Sequence, residues 1–273
     1  MNLPAVVEYP VIAVGDLHGR VGWLDKLVAK LRHLPEWPAA KFVFLGDLGD
    51  RTDTVKELVS RVMDLIAEKP GSSCVCGNHD MALAGAAGLA GDPVPYWVRR
   101  YETDYDSEHT FRSYLGRAPN FPEWEKDLAE LRAAMPVAHR EFLGNLPWVV
   151  EAEGHVFVHN GLSPELDCPA SVQLECLRRK VWDRAVVNPK FGTATDRLFT
   201  PHYPVWVGAD RKLSENPLPI PGKVQVSGHI KIDAPDVTPV RIRIDTSGGV
   251  REPLTACVLR GPTAAPQFVF SNA

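Results

Sequence analysis

Three short segments constrain this chain more than any other feature. They read GDLHGR at residues 15–20, GDLGDR at 46–51 and GNHD at 77–80. Each follows an apolar, strand-like run: Val11–Val14, residues 41–45 and residues 73–76. They recur roughly every 30 residues, the length of one βαβ unit. Between them lie two stretches of helical periodicity. Residues 23–34 place Leu24, Leu27, Val28 and Leu31 on one face, and residues 55–66 do the same with Val55, Leu58, Val59, Val62, Leu65 and Ile66. Strand–helix alternation of this kind predicts a parallel sheet with helices on its faces. Loops after the strands of such a sheet gather at one edge, where ligands bind.

The residues in those loops are ligands for hard or borderline divalent ions, which prefer carboxylate, amide oxygen and imidazole. Asp16 and His18 sit two apart, so one tight turn aims both at one ion. Asp47 opens the next loop, where a single carboxylate can bridge two ions. Asn78 offers an amide oxygen beside His79. Aspartates at strand ends also cap helices, but capping does not explain three such motifs in order. Two ions side by side form a centre for phosphoester cleavage. His159 and His229 join the candidates because both end strand-like runs within two residues of a glycine.

Residues 85–140 break the alternation. They carry Tyr96, Trp97, Arg99, Arg100, Tyr101, Arg112 and Tyr114 and read as a helical insertion covering one side of the site. Its rings and cations either contact substrate or form a solvated cap with an aromatic inner face. The second half is richer in strands: 155–158, Val224–Ser227, 240–244, 254–259 and Gln267–Phe270, the last three expected in a second sheet. Residues 185–222 form a Pro-rich stretch, read as a long surface loop; its His202 is a further site candidate. With no repeat and no linker, residues 1–273 are expected to form a single domain.

Composition excludes several function classes. Lys plus Arg is 30 against 34 Asp plus Glu, a formal charge of −4. That gives no electrostatic basis for binding a nucleic-acid polymer or an anionic membrane. No apolar run is long enough to span a bilayer, and the first residues lack the pattern of a secretory signal. The five cysteines are odd in number and irregularly spaced, which argues against a disulfide framework and fits a reducing cytoplasm. Cys74 and Cys76 read as buried strand residues.

The ordered motifs resemble those of the calcineurin-like metallophosphoesterases, specifically the bacterial type of their phosphoprotein-phosphatase branch. That branch includes the bacteriophage lambda phosphatase and bacterial diadenosine tetraphosphatases. The likeness continues through FLGNLPWVVEAEGHVFVHNGLSP at 142–164, VWDR at 181–184, VSGHI at 226–230, and IDTSGG followed by LTACVL. It implies a four-layer αββα sandwich of two mixed sheets flanked by helices, with the insertion of residues 85–140. It implies two divalent ions, Mn²⁺ first, with Fe, Zn or Ni accepted by the same donors. Asp16 and His18 would hold one, with Asp47 bridging; Asn78, His159 and His229 would hold the other. The ions would activate a bridging hydroxide. Arg51, Arg184 and Asn78 would grip the phosphate, and His79, oriented and kept charged by Asp50, would protonate the leaving group.

The implied activity is a phosphatase acting on phosphoproteins, with hydrolysis of dinucleoside polyphosphates or other small phosphoesters as the alternative. For a nucleotide substrate, Tyr96, Trp97, Tyr101 or Trp206 would stack on a base. A non-catalytic scaffold is the remote third reading, opposed by the complete donor set. Four positions depart from the branch: Cys76 where arginine usually precedes GNHE, Thr52 after Asp50-Arg51, Asn160 after His159, and Ile230 after His229. None removes a ligand, but together they weaken the assignment of a phosphoprotein substrate.

Overall fold

Alternation along each central strand decides the layering. In the computed structural model, which describes residues 2–164, 169–180, 182–183, 195–196 and 216–272, β1 (Val11–Val14) is buried on both faces. Val11 and Ala13 face one apolar cluster, Ile12 and Val14 another. The same period of two splits β2 (Lys41–Phe44), where Phe42 and Phe44 join the second cluster and Val43 the first. Helices α1 (Val21–Leu31) and α2 (Val55–Glu68) cover the Phe42 side with the leucines and valines read from their periodicity. The strand β3 (Ser73–Cys74) leads directly into α3 (Asn78–Ala86), so Asn78, His79 and Asp80 form a helix N-terminus.

The helices α4 (Pro95–Thr103), α5 (Glu108–Leu115), α6 (Trp124–Ala134) and α7 (Val137–Gly144) follow. Then come β4 (Val150–Ala152), β5 (His155–Phe157), α8 (Ala170–Arg179), and the paired two-residue strands β6 (Trp182–Asp183) and β7 (Thr195–Asp196). The chain closes with β8 (Val224–Ser227), β9 (Asp236–Val237), β10 (Arg241–Arg243), β11 (Thr255–Leu259) and β12 (Gln267–Phe270).

Two five-stranded mixed sheets result, in the orders β12-β11-β1-β2-β3 and β4-β5-β8-β10-β9. Val11, Ala13, Val43, Val75 and Cys257 from the first meet Val150, Phe157, Val226 and Ile242 from the second, closing a core between the sheets. The expectation that residues 254–259 and 267–270 extend the second sheet is corrected. β11 runs antiparallel along β1, in register Val11 to Leu259 and Val14 to Ala256, and β12 pairs antiparallel with β11 to form the edge of the first sheet. Strand periodicity fixes which face is buried, not which sheet receives the strand.

The parallel strands of both sheets, β1, β2 and β3 in one and β5, β8 and β10 in the other, send their following loops to a shared edge. Among the described residues no helix is long and apolar enough to cross a membrane.

Candidate metal centre

Each of those six loops delivers a polar group. The loop after β1 carries Asp16 and His18, that after β2 Asp47, Asp50 and Arg51, and that after β3 Asn78 and His79. The loops after β5, β8 and β10 carry His159, His229 and Asp245. All but Arg51 and His229 are buried. Six non-glycine residues have positive φ among the described residues, and five of them are here: His18 at 39°, Asp47 at 51°, Asp50 at 65°, Arg51 at 63° and His229 at 68°. Left-handed backbone is costly for residues carrying a Cβ and persists where surrounding structure enforces it.

The enforcement is visible in the hydrogen bonds. Asp80, fully buried on the first turn of α3, accepts from the backbone N–H groups of Asp47 (2.8 Å), Leu48 (2.9 Å) and Gly77 (3.0 Å). One carboxylate thus ties the loop after β2 to the loop after β3. Asp47 returns the tie, its Oδ1 accepting from the His79 backbone N–H at 3.0 Å. Asp16 accepts from the backbone N–H of His229 at 3.0 Å, which links the two sheets.

Ring orientation follows from the same bonds. His18 donates Nδ1–H to the Gly49 carbonyl (2.9 Å) and His159 donates its Nδ1–H to the Leu45 carbonyl (2.6 Å). Both therefore present Nε2 inward, as a metal ligand fixed by its other nitrogen does. His18 Nε2 lies 3.5 Å and His159 Nε2 3.4 Å from the same oxygen, Asp47 Oδ2. Two ligands about 2.1 Å from one ion at the tetrahedral angle stand ~3.4 Å apart. Asn78 Oδ1 lies 3.0 Å from His159 Nε2 and 2.9 Å from His229 Nδ1. Two groups of donors result, each with its ligand atoms within 4.8 Å of one another and both containing Asp47: His18 with His79, and His159 with His229. Both fit divalent ions in donor type and spacing.

Electrostatics point the same way. Burial and the facing Asp245 push Asp16 well above the carboxylate range. Burial and Asp47 raise Asp80 to about 6, and burial raises Asp245 to about 6 against the Gly248 N–H it accepts. Burial and His79 push His18 well down; burial and His159 push His229 to about 3. Burial disfavours the charged form of His159, yet Asp47 and Asp16 outweigh it and lift the ring to about 10. Carboxylates are crowded around one proton on His159, and a cation entering there displaces that proton. Asp245 Oδ2 is buried without a hydrogen-bond partner in the structure, a further acceptor facing the crowded region.

Beside the donors stands a hydrogen-bonded relay. His79 donates Nδ1–H to Asp50 Oδ2 at 2.7 Å. The other oxygen, Asp50 Oδ1, accepts from Tyr101 of α4 (2.7 Å) and Thr110 of α5 (2.6 Å). The insertion therefore reaches the site through Asp50. Arg51 donates Nη1–H to the Gly248 carbonyl, and its Nη2 lies 3.4 Å from His79 Nε2.

The structure brings together Asp16, His18, Asp47, Asp50, Arg51, Asn78, His79, His159 and His229. Arg184, His202 and Trp206 lie outside the described residues. The expectation that Trp97 or Tyr101 stacks on a base is corrected: both are fully buried, and Tyr101 spends its hydroxyl on Asp50. Tyr96 is half-buried against the Arg100 guanidinium. Sequence reasoning missed Asp80, Tyr101 as a partner of Asp50, Thr110 and Asp245. Asp80 closes the GNHD motif, and Asp245 follows a strand just as Asp16 and Asp47 do, which was the available signal.

Comparison with known proteins gives the family and supports the fold. The family model for calcineurin-like phosphoesterase matches residues 9–232. No curated protein matches the chain. The fold is similar to the crystal structure of "a putative diadenosine tetraphosphatase", at 20% identity and TM-score 0.54 over 97% of both chains. It is also similar to a cold-active protein tyrosine phosphatase, at 15% identity and TM-score 0.50 over 98% of this chain and 80% of that one.

Proposed function

Since the chain belongs to the calcineurin-like phosphoesterases, we propose that it is a dinuclear-metal phosphoester hydrolase. The observation that carries this reading is the convergence of His18 Nε2 and His159 Nε2 on one oxygen of Asp47, beside the 2.7 Å His79–Asp50 pair. Asp16, His18 and Asp47 would hold one ion, and Asp47, Asn78, His159 and His229 the other. Bound there, the two ions supply Lewis acidity and an activated water nucleophile.

The chain's own groups do the rest. Arg51, forked and permanently charged, binds phosphoryl oxygens. His79 is assigned to the leaving group rather than to an ion. Its Nδ1 is occupied by the Asp50 carboxylate, and its Nε2 lies 3.4 Å from Arg51 Nη2, beside the group assigned to the phosphoryl oxygens. Asp50 fixes the ring so that Nε2 carries the proton given to the departing oxygen. These groups require a phosphoester and no particular alcohol, so phosphoproteins and small phosphoesters both satisfy them.

The test is hydrolysis of p-nitrophenyl phosphate. Protein supplemented with Mn²⁺ turns it over, chelation stops it, and His79→Asn lowers kcat by roughly 10²- to 10⁴-fold on phenyl phosphate, whose leaving group needs a proton. Absence of turnover with every divalent ion tried would refute the hydrolase reading.

A further inference from the structure

The turn after β10 does more than close the site. Gly248 and Gly249 are consecutive left-handed residues, with φ of 53° and 64°. A Cβ at Gly249 would collide with the His18 side chain, so this turn is pressed directly against the metal-site donors. Its two carbonyls point at cations: Arg51 donates to the Gly248 carbonyl, and Arg20 Nε–H donates to the Gly249 carbonyl at 2.9 Å. The stem of Lys231 packs on the same turn, within 2.9 Å of where a Gly248 Cβ would stand.

These three side chains line one cavity of about 600 Å³, together with His229 and Asp245 at its metal side and Asp106, His109 and Val250. Arg51 is accounted for by its position beside His79. Arg20 and Lys231 are not: neither has an acidic partner among the described residues. Arg20 stacks on Trp23, 4.6 Å from the ring centroid, which holds the guanidinium in place. Two acidic side chains share the cavity. Asp106 is largely exposed, 3.9 Å from Arg51, and Asp245 is buried against the donors. His109 is paired with Asp53 at 2.7 Å. The outer part of the cavity is thus a cationic patch continuous with the site of phosphoryl transfer.

We infer that Arg20 and Lys231 form a second anionic subsite, which takes the phosphate next to the one being cleaved, so that the preferred substrates carry a phosphate chain. This rests on the hydrolase reading above and selects, within it, oligophosphates over isolated phosphomonoesters. Arg20 offers the Nη edge of a held guanidinium, without a hydrogen-bond partner among the described residues and suited to two oxygens of one phosphate, and Lys231 adds an exposed point charge.

The experiment compares inorganic tripolyphosphate with p-nitrophenyl phosphate on the Mn²⁺-loaded protein, with metal kept in excess over polyphosphate. The variants are Lys231→Glu and Arg20→Ala. Lys231 is exposed and makes no hydrogen bond among the described residues, so its variant folds irrespective of the fate of Arg20→Ala. The expected result is a rise in KM for tripolyphosphate of at least tenfold in Lys231→Glu, with p-nitrophenyl phosphate kinetics within twofold of wild type. Equal effects on both substrates, or no effect on either, overturn the subsite. Calorimetric titration of the metal-free protein with tripolyphosphate reads the subsite without turnover. Tenfold weaker binding in Lys231→Glu supports it, and unchanged binding overturns it. Failure of p-nitrophenyl phosphate turnover would count against the hydrolase reading and leave this titration interpretable.

Discussion

Tyr101→Phe separates what the helical insertion does for folding from what it does for chemistry. The change removes one hydroxyl and leaves the ring in its fully buried place, so it opens no cavity. What it takes away is one of two donors on Asp50 Oδ1, the 2.7 Å bond from Tyr101; the 2.6 Å bond from Thr110 stays. A hydrogen bond to a charged group is worth about 1.5–3 kcal/mol, and the surviving donor keeps the loss near the lower end, about 2 kcal/mol. For a chain of this size that lowers the melting temperature by ~4–8 °C. The catalytic effect comes through Asp50 Oδ2, which orients His79. A leaving group that departs readily as an anion needs little help from His79, whereas one that must be protonated needs all of it. Phenyl phosphate hydrolysis is therefore expected to fall by about tenfold in kcat, a fraction of the 10²–10⁴ a general acid supplies, while p-nitrophenyl phosphate falls by less than about threefold. Steady-state kinetics on the two esters, with calorimetric melting, measures all three quantities. Equal falls on both esters would show that Tyr101 only stabilises the fold and would refute the route through Asp50.

Two other outcomes are expected. Asp80→Asn replaces an acceptor oxygen by an N–H₂ group facing backbone donors at 2.8–3.0 Å; the expected cost is ~2–4 kcal/mol, with weaker Mn²⁺ binding by calorimetry because the loops after β2 and β3 lose their tie, and a melting curve within 1–2 °C of wild type (well under the ~4 °C that 2 kcal/mol implies) would contradict it. Acidification destabilises the fold through histidines held below their ordinary value by burial, His139 and His155 among them. A depressed folded value means the unfolded chain binds the proton first, so stability is complete above about pH 6.5 and is lost as pH falls below it; His139→Gln, which keeps polar reach toward Ser60 and Tyr114, should flatten melting temperature against pH between about 6.5 and 5.

How far the sequence reached differs between particular residues. Val11–Val14, Val224–Ser227 and Gln267–Phe270 are strands at the positions their patterns predict, because side-chain alternation is local. The placement of Thr255–Leu259 beside β1 is a long-range pairing, and nothing in TACVL distinguishes a strand of the first sheet from one of the second. Asp16, His18, Asp47, Asn78 and His79 were legible because chemistry-bearing residues recur after glycine at regular intervals. Tyr101 and Thr110 were not, since they lie about 50 and 60 residues from Asp50 in helices whose aromatic pattern reads as packing. Trp97 was read as a possible stacking surface for the same reason: periodicity identifies a buried face but not which rings end up in it. Asp245 was passed over although its position after a strand repeats the rule that found Asp16.

The left-handed backbone at His18, Asp47, Asp50, Arg51 and His229 makes the site a gauge of the whole fold's integrity. Each such residue stands against a preference of about 1–2 kcal/mol for ordinary backbone, and the packed sheets together with the bonds to Asp16, Asp50 and Asp80 hold it there. A substitution that loosens the inter-sheet core, far from any ion, frees these residues to relax before the molecule unfolds. Ion affinity should therefore fade earlier than helical content as the protein is weakened, and the metal site becomes the first casualty of damage done elsewhere.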